Sequence, residues 1–161
     1  METDKTENAG IDEKAEAGPE FDDFLFPYPP AKEAKHMNPI VLAYIGDAIY
    51  EVAIRQYLIS RPNHRPNHLH RGATQFVSAK AQSRLLLVWQ PLLTEEEKDV
   101  VRQGRNAKSG SIPKNANVSE YRLATAFECL IGYLYYTKRY ARLRELLGVA
   151  IEACVTERGV N

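Results

Sequence analysis

A chain of 161 residues with 44% hydrophobic and 26% charged side chains is long enough for one ordinary domain with its own core and lies far from fibrous compositions. It contains no apolar run approaching the roughly 18–20 residues of a membrane span. The acidic start lacks both the apolar centre of a secretory signal and the Arg/Ser bias of a transit peptide, which places the expected location in the cytoplasm.

The formal net charge of zero hides an asymmetry. Residues 1–23 carry nine acids against two lysines, whereas residues 24–161 hold 12 acids and 19 bases. Residues 1–30 therefore form a largely disordered acidic tail, with the composition of a solubilising segment. They precede a basic domain over 31–161 that suits a polyanionic partner. At the tail's end, Phe24 to Pro30 is held extended by its prolines, and its aromatics are expected to lie across the body as a strap.

Asn38 is a natural N-cap and Pro39 a natural first helical residue, so Ile40 to Ile59 predicts a long helix, apolar on most sides and therefore central. The prolines and asparagines of 61–70 predict a loop. His64, His68 and His70 within it lack acidic or cysteine partners and read as surface residues. Residues 67–90 are helical, broken near Gly72, with Phe76, Val77, Ala79, Leu85, Leu86 and Val88 inward. Thr94 with Glu97 three residues on is a capping box opening a helix to about Gln103. A loop spans 104–118, then Ser119 caps a second apolar helix to about Thr137. The last helix covers roughly 139–157, with Leu143, Leu146, Leu147, Ala150, Ile151 and Cys154 at helical spacing and Gly159 closing it. No alternating run suits a strand, and the expected fold class is all-α. Cys129 and Cys154 sit in apolar helical stretches and read as free buried thiols.

Two acids interrupt this pattern. Asp47 lies in Leu42-Ala43-Tyr44-Ile45-Gly46-Asp47-Ala48, and Glu128 lies in Thr125-Ala126-Phe127-Glu128-Cys129-Leu130-Ile131-Gly132. Both are in the middle of apolar helices, where a half-buried carboxylate is costly unless a cation or donors compensate it. Each has a glycine close by, Gly46 and Gly132, and glycine inside a helix costs about 0.8–1 kcal/mol against alanine. Close approach of two backbones accounts for both glycines and brings the two acids together around a hard cation such as Mg²⁺. The competing reading is that each acid is neutralised by an arginine, with Arg122 and Arg55 within reach.

Both segments resemble the two signatures of the ribonuclease III catalytic domain, roughly Leu-Glu-Phe-Leu-Gly-Asp-Ala and Asp-Ala-Phe-Glu-Ala-Leu-Ile-Gly, in the family's order. The run Gly104 to Gly110, then Pro113-Lys114-Asn115, together with Val77-Ser78-Ala79-Lys80 and Tyr121-Arg122, resembles the small branch, Mini-ribonuclease III, which lacks a double-stranded-RNA-binding domain. The resemblance covers about residues 36–155. It departs from the larger members at Ala43 and Thr125, where they carry a further Glu and Asp, as the small branch also does.

The resemblance implies a ribonuclease III endonuclease-domain helical bundle assembled as a homodimer, each of two sites cutting one strand of double-stranded RNA. Asp47 and Glu128 would be both the catalytic carboxylates and the ligands of Mg²⁺, with Mn²⁺ able to substitute, and Glu51 is an outer-shell candidate. Products would carry 5′-phosphate and 3′-hydroxyl ends, and the substrate would be precursor 23S ribosomal RNA, with ribosomal proteins as further partners. Duplex RNA is read by shape through phosphates and 2′-hydroxyls. Arg102, Arg105, Lys108 and Lys114, with no acid between 102 and 118, suit phosphates, and Asn106 and Asn115 suit sugars. Lys80 and Arg84 are weaker candidates. Tyr44, Gly46, Tyr133, Tyr135 and Tyr136 are candidates for a dimer surface, against ordinary core and rim packing for the last three. The rivals are a catalytically inactive RNA-binding or ribosome-associated relative, and an unrelated helical scaffold.

Overall fold

Local capping chemistry decides where the helices begin. The structure, a computed structural model, describes residues 24–108 and 110–158. The expected acidic tail over 1–23 and the expected role of Gly159 lie outside the described residues. Among the described residues six helices follow in order: α1 (Pro39–Ile59), α2 (Pro66–Val77), α3 (Ala79–Trp89), α4 (Glu95–Asn106), α5 (Val118–Tyr136) and α6 (Tyr140–Arg158), with single 3₁₀ turns at Ala34–His36 and Gln90–Leu92. There is no strand among the described residues, as an all-α chain requires.

Asn38 caps α1 by accepting from the Ile40 amide at 2.9 Å, with Pro39 in the first turn. Thr94 and Glu97 complete the expected capping box of α4. Two starts differ from expectation. Asn117, not Ser119, caps α5, its side chain accepting from the Glu120 amide at 3.2 Å. The break in 67–90 falls at Ser78, whose hydroxyl accepts from Ala81 N, and not near Gly72. Gly72 is buried inside α2 against Leu58. Helix α2 starts at Pro66, so His68 and His70 are helical and exposed rather than in a loop, while His64 Nε2 meets the Ile59 carbonyl at 2.7 Å. Helix α4 continues to Asn106, which moves Arg105 and Asn106 from the expected loop onto its last turn.

Helix α5, more than α1, is the centre. It packs on α1, α3, α4 and α6 and buries nine residues. Phe127 stacks on Trp89 at 4.3 Å and meets Tyr50 edge-on at 4.9 Å. The polar atoms of these aromatics are satisfied within the core: Trp89 Nε1 donates to the Leu146 carbonyl at 2.8 Å, and Tyr50 OH to Phe76 O at 3.0 Å. Ala79 and Val88, expected inward, are exposed, and Ala81, Gln82 and Trp89 take the inward positions of α3. Cys129 and Cys154 are free and buried as expected, and burial pushes the Cys129 thiol up to about 12.

Helix α1 keeps one face outside the core. Val41, Tyr44, Ala48 and Val52 recur at three-to-four-residue intervals along it, Ile59 follows two turns later, and all are exposed. The strap is partly as expected: Phe24 packs on Tyr135 and Tyr136, with the Lys138 ammonium over its ring. Leu25, Phe26 and Tyr28 stay exposed.

Candidate active site

The site arises where α1 and α5 run closest. A methyl group placed on Gly46 would lie 2.8 Å from the Glu128 carbonyl carbon and 2.9 Å from Gly132 N. One placed on Gly132 would lie 2.8 Å from the Leu42 carbonyl carbon. Both glycines are buried, and the two backbones touch where any side chain would hold them apart. Pairing of Gly46 with Glu128 and Leu42 with Gly132 makes the two helices antiparallel. It also sets Asp47, next in sequence to Gly46, beside Glu128.

The two carboxyls are close enough to share a hydrogen bond. Glu128 is half-buried and its carboxyl is pushed up to about 8, first by burial, then by the negative charge and hydrogen bond of Asp47, with a hydrogen bond from Gln82 opposing. No guanidinium figures among these influences. Arg122 is exposed, and Arg55 is taken by Glu51 at 3.1 Å, so the competing reading of arginine neutralisation finds no support at Glu128. Glu51, the outer-shell candidate, is the partner in that ion pair. One detail of the sequence reading needs correction: Asp47 is exposed rather than buried in an apolar helix. It stands at the rim, and Glu128 forms the floor.

Sequence reasoning passed over Gln82. This α3 residue is 1% exposed and lies close enough to the Glu128 carboxyl to oppose the rise in its pKa. Its Nε2 also donates to the Val77 carbonyl at 3.2 Å, while its Oε1 is buried without a partner among the described residues. A buried, unmet acceptor costs about 1–3 kcal/mol. The apolar periodicity of α3 places position 82 on the core face, so a Gln there was the available signal. Ala43 is buried and the Thr125 hydroxyl donates to the Tyr121 carbonyl at 2.9 Å, so neither position adds an acid. Among the described residues no group of three or more His, Cys, Asp or Glu side chains converges. The donor set is two carboxylates, a hard-oxygen pair that repels itself and favours a small divalent cation over a soft metal.

A separate cavity of about 420 Å³ lies beside the N-terminal half of α5, lined by Gly104, Asn106, Lys108, Ile112, Tyr121, Arg122 and Thr125 among others. Thr125, one helical turn before Glu128, ties this lining to the helix that carries that acid, although neither Asp47 nor Glu128 lines the cavity. Arg105, Lys108, Lys114 and Asn115 are exposed, and the three cations have no ion pair among the described residues. The structure does not gather every candidate. Arg102 pairs with Asp99 on its own helix, and Arg84 pairs with Glu157 at 3.0 Å. Lys80 and Arg84 line a separate cavity with Gln75, Ser78, Cys154 and Glu157. Gly46 is consumed by the α1–α5 contact and Tyr133, Tyr135 and Tyr136 by packing near Phe24 and Glu96, which leaves Tyr44, 83% exposed, as the remaining dimer-surface candidate.

The family model for the ribonuclease III domain matches residues 40–139. Mini-ribonuclease 3 of Brevibacillus brevis is 53% identical over 110 residues, spanning 68% of this chain and 82% of that protein. Mini-ribonuclease 3 of Enterococcus faecalis is 50% identical over 123 residues, spanning 75% and 93%. A crystal structure of a protein from Fusobacterium nucleatum superposes with a TM-score of 0.67 at 30% identity, covering 76% of this chain and 98% of that one.

Proposed function

The chain belongs to the ribonuclease III family, among the Mini-ribonuclease 3 proteins, and is an endoribonuclease; on that premise we propose that it hydrolyses double-stranded RNA with Asp47 and Glu128 as the catalytic, cation-holding carboxylates. The observation that carries this reading is the meeting of those two carboxyls across a backbone-to-backbone helix contact, with no guanidinium among the influences on Glu128. Two ionised acids at that separation repel each other. An inactive relative would gain stability by losing either one.

Asp47 and Glu128 would hold Mg²⁺, or Mn²⁺ in its place, because both present hard oxygens and their mutual repulsion falls when a divalent charge lies between them. When bound, such an ion lowers the pKa of a coordinated water and stabilises charge on a leaving 3′-oxygen, giving 5′-phosphate and 3′-hydroxyl ends. The remaining work belongs to the protein. Rim-exposed Asp47 can reach a phosphate at the surface, whereas Glu128, fixed by α5 and Gln82, keeps a constant position. Arg105, Lys108 and Lys114 supply positive charge to the backbone of a duplex laid along the α4–α5 groove, with Asn106 and Asn115 in reach of sugars. Arg102, Lys80 and Arg84 contribute less, the two arginines being engaged by Asp99 and Glu157.

A second copy of the chain fits the exposed apolar stripe of α1, which runs past Tyr44 and Asp47 and would set two sites in one assembly. The natural substrate we infer is precursor 23S ribosomal RNA, from the sequence resemblance, with ribosomal proteins as further partners. A cytoplasmic location accords with this. No helix among the described residues is long and apolar enough to cross a membrane.

The test incubates a long RNA duplex with the protein and Mg²⁺, and repeats it with Asp47→Asn, with Glu128→Gln, and with Ca²⁺ replacing Mg²⁺. Cleavage is expected only from the unaltered protein with Mg²⁺, while gel-shift binding of the intact duplex persists in both variants. Cleavage at the original rate by either variant sinks the assignment.

A further inference from the structure

Gln82 combines features that ordinary packing does not explain. It is 1% exposed, yet it is polar and carries a buried oxygen that meets no donor among the described residues. A leucine would fill the same space without an unmet acceptor, and buried amides in folded proteins normally satisfy both ends. Its nitrogen ties it to the Val77 carbonyl at the α2–α3 junction, which fixes the amide in space. Its other neighbour is Glu128, so α3 delivers this amide to the place where α1 and α5 bring their acids. Position 43 is a buried alanine and Thr125 spends its hydroxyl on a backbone carbonyl, so two carboxylates stand short of oxygens for an octahedral ion.

We propose that Gln82 is a positioning residue of the cleavage site: its amide holds the Glu128 carboxyl toward Asp47, and its Oε1 supplies, through water, a further oxygen to the cation. The inference rests on the reading of Asp47 and Glu128 as cation ligands. An amide oxygen suits this place because it is a hard donor that adds no charge to a pair already repelling. Groups that orient metal ligands from behind typically change affinity or rate about 10–100-fold when removed.

The experiment uses the full chain and compares Gln82→Leu, Gln82→Glu and Asp47→Asn with the unaltered protein. Mn²⁺ affinity is read by calorimetry, the Mn²⁺-dependent rise in Tm by thermal unfolding, and kcat and KM on one fixed RNA duplex. Gln82→Leu should lose about 10–100-fold in Mn²⁺ affinity and in kcat while KM for the duplex stays put. Gln82→Glu, which adds a charge beside the pair, should bind Mn²⁺ more tightly and show a larger Mn²⁺-dependent rise in Tm, whatever its rate. Unchanged Mn²⁺ affinity and kcat in Gln82→Leu would overturn the proposal. So would variants whose Tm drops equally with and without Mn²⁺, the result of a merely structural amide. If Gln82→Leu does not fold, Gln82→Glu answers alone, and an Mn²⁺ response no larger than the original rejects the idea. The parent reading fails separately: it falls if Asp47→Asn keeps full Mn²⁺ affinity, whereas loss in Asp47→Asn with both Gln82 variants unaffected removes only the role of Gln82.

Discussion

Replacing Gly46 or Gly132 by alanine should be the most damaging small change this protein can receive. A methyl on Gly46 would stand 2.8 Å from one backbone atom of α5 and 2.9 Å from another, with the Glu128 carbonyl oxygen nearer still. These are main-chain atoms with no rotamer to yield. Ordinary contact between such atoms is about 3.5–4 Å, so α1 and α5 must part by roughly 1 Å. Overpacking of this kind typically costs about 1–3 kcal/mol and occasionally more. The intrinsic gain of alanine over glycine in a helix returns at most about 1 kcal/mol. Gly148, exposed within α6, offers the control, since a methyl there meets nothing within 4 Å. Gly148→Ala should stabilise by about 0.5–1 kcal/mol. The intrinsic gain is common to both kinds of variant, so urea unfolding should separate Gly148→Ala from Gly46→Ala and Gly132→Ala by about 1–3 kcal/mol, the overpacking cost itself. Gly72→Ala should fall between, because its nearest obstacle is the tip of Leu58 at 3.1 Å, a side chain that can move. Cleavage should suffer more than stability, since a misplacement of about 1 Å at reacting groups can cost about 100-fold in rate. Equal unfolding midpoints for Gly46→Ala and Gly148→Ala would refute the close packing from which the whole site is built.

Four other expectations follow from the same structure. Arg142 donates to buried Glu97 at 2.7 and 2.9 Å and holds its carboxyl below the usual range, so Arg142→Ala should cost about 3–5 kcal/mol at pH 7 by stranding a buried charge. Because the folded value lies below the unfolded one, the stability from this pair is present above about 4.5 and lost as pH falls through the folded value; the gap between variant and parent should narrow in acid. Glu128 has the opposite sign: raised to about 8 when folded, it contributes stability below the ordinary carboxylate pKa that is lost as pH rises through 8, so cation-free Glu128→Gln should exceed the parent in Tm at pH 8 to 9 and lose its advantage near pH 5. Val52→Glu, placing charge on the exposed stripe of α1, should shift sedimentation from dimer to monomer while leaving helix content unchanged. Lys108→Ala should lower the salt slope of duplex binding by about one, uniformly across sequences.

Much of the architecture was legible because it is written in short-range chemistry. Asn38-Pro39 and the Thr94–Glu97 box each fix a helix start from a few adjacent residues, and both helices begin there. The α5 start was missed by two residues because Ser119 and Asn117 both cap well, and only the backbone decides between them. The approach of α1 to α5 was legible for a different reason: glycine inside an apolar helix is costly enough to demand a cause. What could not be read was which surface each helix turns outward. Nearly all-apolar α1 seemed central, yet its Val41–Ile59 face is exposed, because apolar content all round does not say which side meets the core and which meets another surface. Long polar side chains were equally opaque. Arg84 and Arg102 look like free cations in sequence and are ion-paired in three dimensions, through partners that no spacing rule singles out for Arg84.

The placement of the unfavourable features carries its own reasoning. Helical glycines, a self-repelling acid pair and an unmet amide oxygen are each tolerable singly, and each has a bland origin elsewhere in proteins. Here Gly46 and Gly132, the acid pair and the amide oxygen come together where α1, α3 and α5 pack, with the other helical glycines elsewhere, while Trp89, Tyr50 and Glu97 in the remaining core all have partners. A random scatter of imperfections would not select one crossing. Packing alone explains the glycines but leaves no reason for acids beside them, and solubility explains surface acids but not one on the floor against a buried glutamine. A divalent charge bound between them, as proposed, would resolve the repulsion and would give the orphan oxygen a partner through water, so three separate costs would become one requirement.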